Sequence, residues 1–261
     1  MIVIKVGENS SPAASSHPSA GGSAAATGSV GTSPLSPSVL AALTVPPATL
    51  DTVGVPASVV PPTRVSGGAI LRGADGKPLI TYIGAEYCPY CAAERWALAV
   101  ALSRFGTLSN LSGTHSSSSD VYPDTQTLSF YGSSYSSPYV GFESVEEFTN
   151  QAVGSGYQSL QSPTTAQTAL ADKYDPQGSI PFIDIGNRYV ITGASYSPQV
   201  LAGLSRAQIA ADLSDPSSPV AQAIDGTANY ITAAISVVTG GQPSSVANSP
   251  VIAAIAKQLG A

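Results

Sequence analysis

The chain contains two cysteines, Cys88 and Cys91, separated only by Pro89 and Tyr90. That spacing brings two sulfurs onto one helical turn. It suits three chemistries: thiol–disulfide exchange, half of a metal site, or a local staple. A four-cysteine zinc site needs a second such pair, and the sequence holds none. His115 sits in the run SGTHSSSS and reads as an exposed loop residue rather than a ligand. A bridge that closes so short a loop removes little chain entropy and so stabilises little. Redox chemistry makes the fullest use of the pair.

The flanking sequence says how the sulfurs are held. KPLITYIGAEY, after a turn at Gly73–Gly76, has the pattern of a buried strand. From Pro89 the residues are mostly good helix formers, and Gly106 ends the run. Trp96, Val100 and Phe105 share a core-facing side supported by Leu98 and Leu102, whereas Arg95 is expected on a solvated face rather than near the sulfurs, where its charge would act on them. Pro89 falls in the first turn, where a missing N–H costs nothing. A helix N-terminus stabilises a thiolate through its free N–H groups and dipole. Cys88 is therefore the expected nucleophile and Cys91 the resolving sulfur. Glu86 is open to two readings, a group that tunes the thiolate or shuttles a proton to Cys91, and a bystanding exposed acid. Tyr90 is expected to face solvent, where it would meet a substrate.

Further along, IPFIDIGNRYVITG predicts a strand at Ile180–Ile185 and an antiparallel partner at Arg188–Thr192. Gly186 and Asn187 supply the φ > 0 turn between them. Pro181 cannot donate to a ladder, and a cis Ile180–Pro181 bond would account for it there. Strands are also predicted at Asp124–Tyr131 and Ser137–Val145, and helices over 143–160 and 163–174. Capped helices are predicted after Ser36 and Ser205, a short helix at Leu50–Val53, and two more within 219–240 and 249–259.

Only 10% of the residues are charged and the net charge is −6, which argues against nucleic acid and anionic membrane surfaces as partners. No glycine-rich phosphate loop follows a strand, and no G-x-S-x-G elbow is present. Residues 1–6 read as the remnant of a membrane anchor. Residues 7–35 read as a flexible Ser/Ala/Gly/Pro tether, and 36–261 as the folded domain, with its core at about 66–215 and C-terminal helices over 216–261.

A Cys-x-x-Cys at a strand-to-helix junction, followed by IPF and a hairpin, resembles the thioredoxin superfamily. The resemblance implies an α/β thioredoxin-like fold in which the loop of Ile180 and Pro181 packs against the cysteines and orients substrate backbone. The long gap between Cys91 and Pro181 implies a helical and β-hairpin insertion. The longer stretches YIGAEYCPYCAAERWALAVALSRFG, SSSSDVYPDTQTLSFYGSSYSSPYVGFESVE and PFIDIGNRYVITGASY resemble the domain of unknown function 929 family. Its members are archaeal and actinobacterial and often membrane-anchored. The resemblance implies that relatives often carry a second cysteine pair, where Ser236 and Ala247 stand here. The implied function is extracytoplasmic thiol–disulfide exchange on exported proteins, with no metal or organic cofactor. Redox equivalents would come from another protein, such as a membrane oxidoreductase, and membrane attachment only from an anchor upstream. The alternative is a non-catalytic binding module of the cell envelope.

Overall fold

The computed structural model describes residues 32–66 and 68–260. The expected anchor remnant and the tether up to residue 31 lie outside that range. The end of the expected tether is built into the fold. Ser33–Pro34 (β1) pairs antiparallel with Ser112 and Gly113, and Leu35 is buried in the main core. Ser36 caps α1 (Pro37–Ala42), its hydroxyl accepting from the Val39 amide at 3.4 Å. The second helix, α2 (Pro47–Val53), begins earlier than Leu50 because Pro47 is preorganised for a first turn.

A short strand β2 (Thr63–Arg64) precedes β3 (Leu79–Gly84), which is buried at every position. It leads into α3 (Pro89–Ser103), buried along its length except at Tyr90 and Ser103. A helix apolar on every face belongs inside a domain.

Beyond α3 the structure departs from expectation. Seven strands follow: β4 (Thr107–Ser109), β5 (Ser112–His115), β6 (Gln126–Ser129), β7 (Ser134–Ser136), β8 (Gly141–Glu146), β9 (Phe148–Val153) and β10 (Gly156–Ser159). Only α4 (Thr165–Tyr174) is helical there. Residues 143–160, expected to be helical, are therefore strands. β8 runs parallel to β3, from Leu79 opposite Gly141 to Gly84 opposite Glu146. β9 and β10 fold back on each other beside Gly154, whose φ is +60°. Pairing with a buried strand outweighs the helical composition of SVEEF. His115 ends β5 instead of lying in a loop, and is half-buried.

The chain continues with β11 (Phe182–Ile185), β12 (Tyr189–Thr192) and a 3-10 turn at Pro198–Leu201. Four helices close it: α5 (Arg206–Asp212), α6 (Pro219–Val238), α7 (Ser244–Ala247) and α8 (Pro250–Gln258). Gly186 and Asn187 make the expected turn, with φ of 61° and 58°.

The central sheet is mixed, in the order β2-β12-β11-β3-β8, and only β3–β8 is parallel. Strand alternation sorts its side chains into two layers. Ile80, Tyr82, Ile183, Ile185, Tyr189 and Ile191 join the core that contains α3 and α6. Ile83, Val145, Phe182 and Val190 pack with Leu170, Ala171 and Tyr174 of α4. The result is an α/β fold with helices on both faces of the sheet.

Candidate active site around Cys88 and Cys91

Ala85, Glu86 and Tyr87 carry the chain from β3 into α3, and Cys88 is the N-cap with φ −77° and ψ 122°. Its sulfur accepts the Cys91 amide N–H at 3.2 Å, where a serine oxygen would ordinarily sit. Both cysteines are free thiols; Cys91 is fully buried and Cys88 is 4% exposed. Cys88 Sγ also lies 3.8 Å from the Ile180 carbonyl oxygen. The Ile180–Pro181 bond is cis. Pro181 stands just before β11 rather than within it, so its missing N–H takes nothing from the ladder. Its carbonyl accepts from the Gly193 amide at 2.8 Å.

The two sulfurs are driven apart electrostatically. The Cys91 thiol donates to Cys88 and lowers its pKa; the Cys91 amide, the Arg95 charge and the Tyr90 amide act in the same direction, against the cost of burial. Burial pushes Cys91 well above the ordinary thiol range, and the hydrogen bond to Cys88 adds to that. Cys88 is thus the easier of the two sulfurs to ionise, and Cys91 the harder.

Beneath them lies a buried charge cluster. Arg95, expected on a solvated face, is fully buried. Its Nε and Nη2 donate to Glu146 Oε1 and Oε2 at 2.8 and 2.7 Å, and Nη2 also reaches the Ala85 carbonyl at 2.8 Å. Glu86 is fully buried too, which overturns the exposed-acid reading. One of its oxygens accepts from Ser129 Oγ and the other lies 3.8 Å from Arg95 Nη2. Burial raises Glu146 to about 7 despite the pull of Arg95.

Residues 73–237 match the family described as Domain of unknown function (DUF929). The chain belongs to this family. The matched stretch takes in β3, both sulfurs, the Arg95–Glu146 pair, Pro181 and nearly all of α6. No curated protein and no solved structure matches the chain.

Around the rim of this DUF929 site, Tyr90 is exposed and meets the Tyr122 ring edge-on, with centroids 5.9 Å apart. Tyr87 stacks on Tyr157 of β10 at 4.1 Å, and the Ser117 amide donates to the Tyr87 carbonyl at 2.8 Å. The polar run SSSSDVYPDT thus borders the cysteines. Tyr135 and Tyr139 pack on the core. His115 is turned to the Ser116 carbonyl at 2.8 Å and to Asp124 at 3.5 Å. Among the described residues no cluster of three His, Cys, Asp or Glu could hold a metal ion, and no helix is long and apolar enough to cross a membrane. Ser236 is buried in α6, and Ala247 is half-buried in α7.

Sequence reasoning did not find Tyr82 or Glu146, and it set Arg95 on a solvated face instead of near the sulfurs. A signal for Arg95 was available. Glu94 and Arg95 are the only charged residues between Cys91 and Ser103 in an otherwise apolar helix, and such a helix buries what it carries. Glu94 follows the same rule. It accepts from the Ser195 amide and hydroxyl at 2.8 and 3.0 Å, and burial raises it to about 7.

Proposed function

We propose that the chain is an extracytoplasmic thiol–disulfide oxidoreductase of thioredoxin-like fold, acting on exported proteins. The observation that carries this reading is the Cys88 sulfur itself. It caps α3, accepts the Cys91 amide and faces the Ile180 carbonyl ahead of cis-Pro181. The chain order β3–α3–β8–α4–β11–β12, with the sheet order β8-β3-β11-β12, supports the thioredoxin-like assignment. On that assignment β4 to β7 form an insertion after α3, and the β9–β10 hairpin a second one after β8.

In the reducing direction the Cys88 thiolate attacks a substrate disulfide, and one substrate sulfur leaves as a thiolate. Cys91 gives up its proton and attacks Cys88 Sγ. The second substrate sulfur leaves, and the Cys88–Cys91 disulfide closes. The oxidising direction is the reverse. Pro181 and the Ile180 carbonyl orient the partner's backbone, Pro89 keeps the first turn of α3 regular, and Tyr90 contacts the partner. Glu86, with Arg95, tunes the charge around the sulfurs. The chemistry uses no metal or organic cofactor, and a membrane oxidoreductase supplies or removes electrons. The extracytoplasmic assignment rests on residues 1–34, and fractionation of cells expressing the full gene tests it.

Equilibration of the pair in thiol redox buffers tests the activity. A potential of roughly −120 to −180 mV makes the protein an oxidant or isomerase, and one of roughly −270 mV makes it a reductant. A pair that never equilibrates overturns the enzyme reading and leaves a binding module.

A further inference from the structure

We infer that the Tyr82 hydroxyl is the hydrogen-bond donor that receives the Cys91 thiolate when the Cys88–Cys91 disulfide opens. The inference rests on the exchange reading above and adds a residue to it. Tyr82 is fully buried on β3, and its hydroxyl has no hydrogen-bond partner among the described residues. A phenylalanine would fill nearly the same space without burying an orphaned polar group, so the hydroxyl needs a reason to be there.

Its position supplies one. A Cβ built on Gly84 would collide with Tyr82 Oη and lie 3.1 Å from Cys91 Sγ. The hydroxyl and the resolving sulfur therefore converge over the one residue in this stretch that has no side chain. The ring is held there. Phe130 meets it edge-on at a centroid distance of 5.3 Å, and the Arg95 guanidinium carbon lies 6.0 Å from its centroid. A nearby cation favours electron withdrawal from the phenol and so strengthens its O–H as a donor.

The step balances without an added base. A substrate thiolate attacks Cys88 Sγ, the new S–S bond forms there, and the Cys88–Cys91 bond breaks. The electron pair passes to Cys91 Sγ, which becomes a thiolate. Tyr82 keeps its proton and donates the hydrogen bond. Burial holds its phenol well above the ordinary range, so Tyr82 does not serve as a base. The charged groups facing this pocket are Arg95, Glu146 and Cys88, with Glu86 beside Arg95. Arg95 favours a charge on Cys91, and Glu146 opposes it.

The test is the rate at which glutathione opens the oxidised chain between pH 7 and 9, wild type against Tyr82→Phe. The variant is expected to open roughly tenfold to a hundredfold more slowly, as for the loss of one hydrogen bond to a charged partner. Alkylation of Cys88 in the reduced chain should stay within about twofold, because that sulfur has its own donors. Equal opening rates, or an equal fall in both reactions, would overturn the inference. A wild-type disulfide that glutathione cannot open would instead overturn the exchange reading. Should Tyr82→Phe fail to fold, the wild-type chain labelled with 13Cζ tyrosine decides. The Tyr82 resonance should move between the oxidised form and the Cys88–glutathione mixed disulfide at pH 9, and a resonance that stays in place would count against the donor.

Discussion

Helices α3 and α6 pack against each other and open in the same way, yet only one of them carries the cysteine pair. Each has an extended N-cap followed by proline: Cys88–Pro89 and Ser218–Pro219. Each cap accepts from the amide three residues on, at 3.2 Å to sulfur and 3.0 Å to oxygen. The serine hydroxyl stays neutral at every ordinary pH, so the free amides of α6 only satisfy a cap. A thiol can ionise, and at Cys88 the same kind of amide contact favours the thiolate. Each helix also buries an ionisable side chain. Arg95 in α3 is matched by a bidentate Glu146. Asp225 in α6 has no hydrogen-bond partner on either oxygen among the described residues, and burial raises it to about 8. The α3 cap differs from the α6 cap in bringing together an ionisable atom, a second sulfur and a paired cation.

The comparison can be broken most severely at the cap. Cys88→Ser turns the start of α3 into that of α6. Disulfide exchange should vanish in a glutathione assay, while denaturant unfolding should move by no more than about 1 kcal/mol, because serine is itself a strong cap. Removing the paired charge comes next. Arg95→Leu strands Glu146 and Glu86 in the interior and should cost about 3–5 kcal/mol in urea unfolding at pH 7.

Asp225 sharpens the contrast through pH. In the folded chain its carboxyl keeps the proton up to about pH 8, whereas the unfolded chain releases it near 3.8. The folded state binds more protons in that window, so stability must fall as pH rises through it. Glu94 and Glu146, both near 7, act with the same sign. Asp225→Asn should therefore flatten the decline between pH 5 and 9 and stabilise the protein by about 1–3 kcal/mol at pH 9. An unchanged slope in paired unfolding curves would contradict this. The smallest effect is expected at the other cap. Ser218→Ala should cost about 1 kcal/mol and leave exchange kinetics as they were.

Local features were legible because backbone chemistry is short-ranged. CPYC at a strand-to-helix junction, the caps at Ser36 and Ser205, the Gly186–Asn187 turn and the cis bond at Pro181 each depend on a few adjacent residues. They are set by steric limits on φ and by which N–H groups lack partners. The strands at 143–160 were misread for the converse reason. Glu143, Glu146 and Glu147 suit a helix locally, and only the parallel ladder to β3 makes the stretch a strand.

By itself, then, the amino-acid sequence determined where the sulfurs lie along the chain, which of them caps the helix, and that a proline loop with a hairpin follows. Tertiary structure alone decided what surrounds them. Glu146 reaches Arg95 from a distant strand, the Ile180 carbonyl reaches Cys88 from a distant loop, and Tyr82 shares a point over Gly84 with Cys91. Periodicity tells which side of an element is buried. It does not tell which buried groups meet, because that depends on strand order and register, and these are settled only when the whole core closes.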